Sequence, residues 1–318
     1  MTGPAPKVSV VMATWGRGRH ILPSIRSVLA QDFAGFELIV VGDACTDETA
    51  AVVAAIPDPR LCWINLEQRV GSQSGPNNAG IAAARGEIIA YLGHDDIWEP
   101  DHLQRMMALY QSDDPPDFAV SGAIYHLPNG IPGHQVMGLF ADNESVTRYF
   151  FPPSSFSHGK AVIDRIGPWK MPMDIRPPVD EDLLLRATGA GLRFRSTGVI
   201  TVHKFAAGHR YLSYIEQESQ EQDAMLAELT QPDHKARVAG IVEAAKAGGT
   251  FMQGWHRNFA RFEPGAIARI SRQVKGLTAN PPVPLGRGVK LQHPEEPAMF
   301  DWEDKLTRGY RQSKANPC

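Results

Sequence analysis

The 318-residue sequence predicts an α/β protein, a mostly parallel sheet flanked by helices with a helical C-terminal extension. Three observations carry that expectation. Short apolar runs of strand length alternate with segments of helical periodicity over the first hundred residues, and the connections between them are short, the pattern of parallel strands joined by right-handed crossovers. The runs stop at glycine or at polar punctuation. After residue 212 the strand signal gives way to polar-rich sequence with spaced aliphatic side chains.

The elements follow in order. Residues 8–12 form a β-branched strand, closed by the loop Ala13-Thr14-Trp15-Gly16-Arg17-Gly18. Ile21, Ile25, Val28 and Leu29 recur at helical spacing after it. Residues 37–41 are the second strand, followed by the turn from Gly42 and a helix capped by Thr46, with Asp47 and Glu48 behind it, reaching toward Ile56. Residues 61–65 are the third strand; a glycine-rich loop over 71–75 and a helix over 77–84 follow. The fourth strand, 88–92, ends in Gly93-His94-Asp95-Asp96, and Pro100 then opens a helix. Further on, 194–197 and 199–202 read as two short strands ending in His203-Lys204.

A hydrophobic share of 43% and a charged share of 21% describe an ordinary folded chain. The length exceeds what one core usually serves, so a large unit with an appendage is expected. A net charge of −3 offers nothing that would attract nucleic acid. No apolar stretch is long enough to cross a bilayer, the first seven residues lack a secretory pattern, and Cys45, Cys62 and Cys318 lack metal or disulfide spacing. The expectation is a cytoplasmic protein, at most peripheral at the inner face of the membrane.

The chemistry is expected at Asp95-Asp96. Ligands of open α/β sheets bind beyond the carboxyl ends of the strands, and acids there can hold a divalent cation and, through it, a phosphate. The competing reading is a polar turn in which one aspartate caps the next helix. Two other phosphate devices are missing. Gly16-Arg17-Gly18-Arg19-His20-Ile21 has isoleucine where a dinucleotide loop needs its third glycine, and there is no Walker loop.

At four places in order the sequence resembles family-2 glycosyltransferases of the GT-A fold. The residues 8–15 resemble that family's opening strand and Thr-Tyr-Asn-Arg loop. Val40-Val41-Gly42-Asp43-Ala44-Cys45-Thr46-Asp47 resembles its Val-Asp-Asp-Gly-Ser-Thr-Asp segment. Asn78-Ala79-Gly80-Ile81 and Ala84-Arg85-Gly86-Glu87-Ile88 resemble its Arg-Asn-x-Gly-Ile and Ala-x-Gly-Glu-Tyr pieces, and Gly93-His94-Asp95-Asp96-Ile97-Trp98-Glu99-Pro100 its Asp-Ser-Asp-Asp-x-Trp-x-Pro. The resemblance implies a GT-A domain over 1–205, with a nucleotide-sugar half, 1–112, and an acceptor half, 113–205, before an extension over 206–318.

It also implies roles. Thr14, Trp15, Arg17, Asp43, Asn78, His94, Asp95 and Asp96 would bind a nucleotide-sugar donor, most readily UDP-linked, with Trp15 against the base and Asp43 accepting from a base N–H. Asp95 would hold a divalent metal, manganese or magnesium, and Asp96 would support the loop or the sugar. Two positions depart from the pattern: Gly93 stands where the motif's first aspartate belongs, and Asn77 where its arginine belongs. His94 or His203 is the candidate to complete the metal's ligands.

Farther along, Arg165-Ile166-Gly167-Pro168-Trp169 resembles the Gly-Gly-Phe segment before the family's catalytic acid, and Asp180-Glu181-Asp182-Leu183-Leu184-Leu185-Arg186 resembles Glu-Asp-x-Asp-Leu-Trp-Leu-Arg. Two registers are open. Asp180 as base fits the distance onward to Phe194; Asp182 keeps the Glu181-Asp182 dipeptide intact. The spacing favours Asp180. Inverting transfer needs such a carboxylate to take the proton of the acceptor hydroxyl, although acids opening a helix also serve its dipole.

Helices are expected over 212–229 and 236–246. Trp255, Phe259, Phe262, Ile267 and Ile270 interleave with Arg257, Arg261, Arg269, Arg272 and Lys275, a basic amphipathic face suited to an anionic membrane or a lipid-linked acceptor, or else an ordinary solvated helix. The tail to Cys318 reads as extended and open to packing on a second copy, as in a homodimer. The function expected is metal-assisted inverting transfer of a sugar to a hydroxyl acceptor in glycan or glycoconjugate assembly. A sugar-phosphate nucleotidyltransferase and a non-catalytic nucleotide-sugar-binding protein are the alternatives.

Overall fold

The computed structural model describes residues 5–127, 134–141, 151–205, 217–252, 262–274 and 277. Its sheet is built around β1 (Val8–Thr14). β2 (Phe36–Gly42) and β4 (Ile88–Tyr91) pair with it in parallel on either side, and β3 (Leu61–Asn65) lies parallel outside β2. Val8 stands opposite Phe36 on one side and Ile88 on the other, so the three strands start level; β1 and β2 run on together to Thr14 and Gly42, while β4 stops at Tyr91, opposite Val11. Their near-continuous apolar runs have a physical cause: both faces are covered.

Side chains alternate across the sheet and divide the core in two. Val10, Leu38, Val40 and Ala90 face α1 (Leu22–Leu29) and α4 (His102–Tyr110), meeting Ile25, Val28, Leu103 and Met107. Val11, Ile39, Ile89 and Tyr91 face the other way, toward α3 (Ser74–Ala83) and α6 (Val179–Gly189), meeting Ala79, Ile81, Leu183 and Leu184.

Beyond β4 the sheet becomes mixed. β8 (Phe156–Gly159) runs antiparallel to β4, and β6 (Phe118–His126) antiparallel to β8. β7 (His134–Met137) pairs antiparallel with β6, and β10 (Phe251–Met252) parallel with β7. β9 (Phe194–Lys204) runs parallel to β6 and carries β5 (Ile97–Trp98) antiparallel. α2 (Thr49–Ala54) and α5 (Val162–Ile166) complete the body, and α7 (Gln220–Glu228), α8 (His234–Ala247) and α9 (Ala266–Val274) form the extension.

The structure departs from the sequence reading at four points. β9 is one strand where two were expected. Gly198 takes φ +73 in its middle, which kinks the strand, and the register against β6 shifts between Val120 and Gly122. Thr46 does not cap α2. That helix begins at Thr49, whose N–H and hydroxyl donate to the two carboxylate oxygens of Asp47 at 3.3 and 2.8 Å. α3 begins at Ser74, inside the expected loop, with Pro76 in its first turn, where a missing N–H costs nothing. The two-residue β5 is too short for periodicity to reveal. The tail beyond residue 277, the stretch 206–216 and residues Trp255, Arg257, Phe259, Arg261 and Lys275 lie outside the described residues.

An aromatic knot joins β4, β8 and the segment before α6. The Tyr91 hydroxyl donates to Nε2 of His158 at 2.8 Å and accepts from Nε1 of Trp169 at 3.1 Å. Nδ1 of His158 donates to the Gly159 carbonyl at 2.8 Å. Burial lowers the His158 imidazole to about 4, against the pull of that carbonyl. A histidine neutral in the fold and more basic in the unfolded chain makes protons favour unfolding. Stability is therefore full above pH ~6.5 and falls as pH drops toward ~4, by up to ~1.4 kcal/mol per pH unit. Urea unfolding across that range checks this: the midpoint falls with pH in the native chain, and less steeply in His158→Gln.

Candidate active site

A cleft of about 540 Å³ opens where β1, β2 and β4 end, the position at which open α/β sheets bind ligands. β1 delivers Thr14 and Trp15 to its walls, the turn after β2 delivers Asp43, and the turn after β4 delivers Gly93, His94 and Asp95. Asp180, in the first turn of α6, lines it together with Pro177 and Pro178. Thus Thr14, Trp15, Asp43, His94, Asp95 and Asp180, spread over 167 positions of sequence (180 − 14 + 1), share one cavity.

The adjacent acids have different surroundings. Asp95 lines the cleft, whereas Asp96 is wholly buried. Asp96 Oδ2 accepts from the Ser154 hydroxyl at 2.5 Å and from Lys204 Nζ at 2.7 Å, and its Oδ1 accepts from the Phe205 N–H at 3.1 Å. Burial works against the Lys204 ammonium, but Asp96 and then Asp95 hold it charged, well above its ordinary value. Gly93 belongs to the same arrangement. A Cβ there would stand 2.7 Å from Asp96 Oδ2 and 3.1 Å from Asp95 Oδ1, so a third acid would have to displace the pair. His94, in the same wall, has Nδ1 3.1 Å from the Thr14 hydroxyl.

Asp43 organises the opposite end. Its two carboxylate oxygens accept the N–H groups of Val70 and Gly71, each at 2.7 Å. Burial raises its pKa, while these two amides and the guanidinium groups of Arg69 and Arg272 pull it down. The loop so held carries Arg69, whose guanidinium lies 3.3 Å from the centre of the Trp15 ring.

Other expected residues sit away from the cavity. Asn78 is buried and clamps the backbone of Trp169, donating to its carbonyl at 2.8 Å and accepting its N–H at 3.0 Å. The Arg17 side chain is 4% exposed and does not line the cleft. Glu181 is buried, and Asp182 Oδ2 accepts from Arg186 Nε at 2.7 Å. His203 joins Glu99 and His234 in a buried cluster outside the lining.

Three wall residues escaped the sequence reading. Asn77 turns its side chain into the wall, and its buried Nδ2 has no hydrogen-bond partner. Arg69 and Arg272 carry the positive charge near Asp43. Arg272 belongs to the segment read as a basic amphipathic face, either membrane-facing or simply solvated. In the structure it is 8% exposed, Nη1 donates to the Gly71 carbonyl at 3.2 Å, and Ile267, Ala268 and Ser271 line the cleft beside it. Among the described residues, Ile270 is the large hydrophobic left exposed, at 51%. α9 borders the cavity through these residues.

Residues 9–166 match the family described as glycosyl transferase family 2. The chain belongs to this family. Among curated relatives, the succinoglycan biosynthesis protein ExoO of Rhizobium meliloti is 46% identical over 102 residues, 32% of this chain and 29% of that protein. The putative colanic acid biosynthesis glycosyl transferase WcaA of Escherichia coli is 32% identical over 139 residues, 40% of this chain and 48% of that one. The chain thus spans under half the length of either relative. The crystal structure of S. aureus TarS 1–349 in complex with UDP-GlcNAc superimposes with a TM-score of 0.54 at 16% identity, covering 96% of this chain and 92% of that one. The fold is of the GT-A type.

Within this family-2 domain the Asp-Asp turn is held from beneath by Lys204, which comes from β9, outside the matched segment. Removing the ammonium leaves a buried carboxylate without its counter-charge, and breaking such a pair costs about 3–5 kcal/mol. Lys204→Met should lower stability by about that amount in urea unfolding. Lys204→Met with Asp96→Asn should recover part of the loss.

Proposed function

We propose that this protein is an inverting glycosyltransferase that moves a sugar from a nucleotide-sugar, a UDP-sugar, to a hydroxyl acceptor in glycan or glycoconjugate assembly. The acceptor is a growing glycan, lipid-linked or otherwise. The observation that carries the reading is the convergence of Trp15, Asp43, Asp95 and Asp180 on one cleft from four separate segments. Membership of a glycosyltransferase family supports it, as does the UDP-GlcNAc complex of TarS for the donor class.

In this reading the strand-end half, residues 1–112, receives the donor. Trp15 offers a flat face to the base, backed by Arg69, and Asp43 keeps the 70–71 loop in position beside it. The Asn77 amide N–H, unpartnered at the wall, suits a ribose or phosphate oxygen. A divalent cation, magnesium or manganese, fits the site because Asp95 supplies a hard carboxylate oxygen at the cleft, and such ions bind through one or two carboxylates plus substrate phosphates. When bound, the ion would neutralise charge developing on the departing diphosphate. Asp96 takes no part at the ion; it holds the turn through Ser154 and Lys204.

The acceptor half, 113–205, supplies the base. Inversion needs one carboxylate on the face opposite the leaving group to take the acceptor's proton as its oxygen attacks the anomeric carbon. Asp180 lines the cleft, while Asp182 is engaged by Arg186, so Asp180 is the better candidate.

The two aspartates should fail differently. Asp95→Ala should abolish manganese-dependent UDP binding in calorimetry and transfer with it. Asp180→Asn should bind UDP as the native chain does but lower kcat by about 10²–10⁴-fold. Native turnover by Asp180→Asn would transfer the base assignment to Asp182. UDP binding without manganese dependence and without donor hydrolysis would favour a binding protein. Pyrophosphate release from a sugar phosphate and a nucleoside triphosphate would instead mark a nucleotidyltransferase.

A further inference from the structure

On the strand that carries Lys204, neighbouring side chains point to opposite faces. His203 therefore turns away from the Asp96 pair and meets Glu99, just past β5, and His234, the first residue of α8. All three are buried, and their ligand atoms lie within 4.8 Å of one another. Nε2 of His203 and Nε2 of His234 converge on the same oxygen, Glu99 Oε1, at 3.3 and 2.9 Å. Tetrahedral donors about 2.0–2.1 Å from a zinc ion stand about 3.3 Å apart, so these separations match ligands around one ion.

The outward nitrogens supply a second, independent sign. His203 Nδ1 lies 3.0 Å from His126 Nε2, and His234 Nδ1 lies 3.3 Å from a carboxylate oxygen of Glu228. Metal-bound histidines characteristically donate their other N–H to such a partner, which fixes the tautomer. Without an ion, His234 has a carboxylate at each nitrogen and, when neutral, only one proton for the two. The remaining oxygen of Glu99, Oε2, is held by Lys235, which also lies 3.6 Å from Asp101.

We propose that Glu99, His203 and His234 form a zinc-type transition-metal site, separate from the donor cleft, that staples α8 of the extension to the ends of β5 and β9. Two imidazoles and one carboxylate suit zinc or cobalt better than the hard cations that Asp95 would hold. Lys235, held on Glu99, and Arg237, whose Nε donates to Glu228 Oε1 at 3.2 Å, are cations at the cluster's edge, and Lys235 opposes a further positive charge at Glu99.

The test uses the full chain, stripped with a chelator and titrated with zinc by calorimetry, and with cobalt by absorption. The native chain should bind one zinc, and cobalt should give the intense visible bands of a tetrahedral N/O site. His234→Ala should weaken zinc at least a hundredfold. Glu228→Gln, which alters the outer partner that His234 shares with Arg237, should weaken it about tenfold, the low end for such positions. Lys235→Met should tighten it. Asp95→Ala should leave zinc affinity native, which separates this site from the proposed donor metal whether or not that reading holds. Should His234→Ala fail to fold, Glu228→Gln and Lys235→Met decide. Native zinc affinity in Glu228→Gln and Lys235→Met, loss of the site in Asp95→Ala, or no tetrahedral cobalt spectrum would overturn the proposal and leave His234 a hydrogen-bonding link between two carboxylates.

Discussion

The carboxylate of Asp96 is the constraint on which the cleft depends. It is wholly buried and accepts three hydrogen bonds, from Ser154 before β8 and from Lys204 and Phe205 at the end of β9. A buried ion pair gains little over well-packed apolar groups, but once present it is expensive to disturb. Its consequence here is geometric. The three contacts bring a turn at residue 96 under the same restraint as segments 58 and 108 positions later. Asp95, its neighbour in sequence, is thereby held at the cavity.

This arrangement explains why the apparent motif lacks its first acid. Gly93 lies so close to both carboxylates that a side chain there would meet Asp96 first. The Gly93 N–H instead donates to the Ser154 hydroxyl, at 3.0 Å, and the same hydroxyl donates to Asp96. Serine at 154 thus links the turn's backbone to its buried acid, a task for which the sequence around Pro152-Pro153 offered no signal.

Much of the architecture was legible because local chemistry and tertiary demand agreed. Four strands could be read from runs such as Val8-Ser9-Val10-Val11 because central parallel strands are buried on both faces and need apolar residues throughout. The acids at the end of β4 were legible because a strand stopping at glycine marks the edge where ligands collect. What stayed hidden depended on distant partners. Asp95 and Asp96 are adjacent in sequence, and the contacts of Asp96 to Ser154, Lys204 and Phe205 set their surroundings apart. Asn78 matched a motif, yet its amide is spent on the backbone of Trp169, while Asn77, read as a departure, faces the cavity. On α9 the alternation of arginine and isoleucine was correctly read as amphipathic, but periodicity cannot say which face a helix buries or against what.

The position of α9 bears on how a ligand would enter. β1, β2 and β4 give the cavity a floor whose strands are fully paired, and Asp43 locks the loop beside it through two backbone amides. The wall contributed by Ile267, Ser271 and Arg272 is different in kind. Arg272 of that wall donates to the Gly71 carbonyl of the loop at 3.2 Å. The wall meets the loop through a helix side chain, whereas the floor is held by strand pairing. Arg272 also lowers the pKa of Asp43 and so favours its charged form. A ligand carrying negative charge into the cleft would compete with Asp43 for that guanidinium.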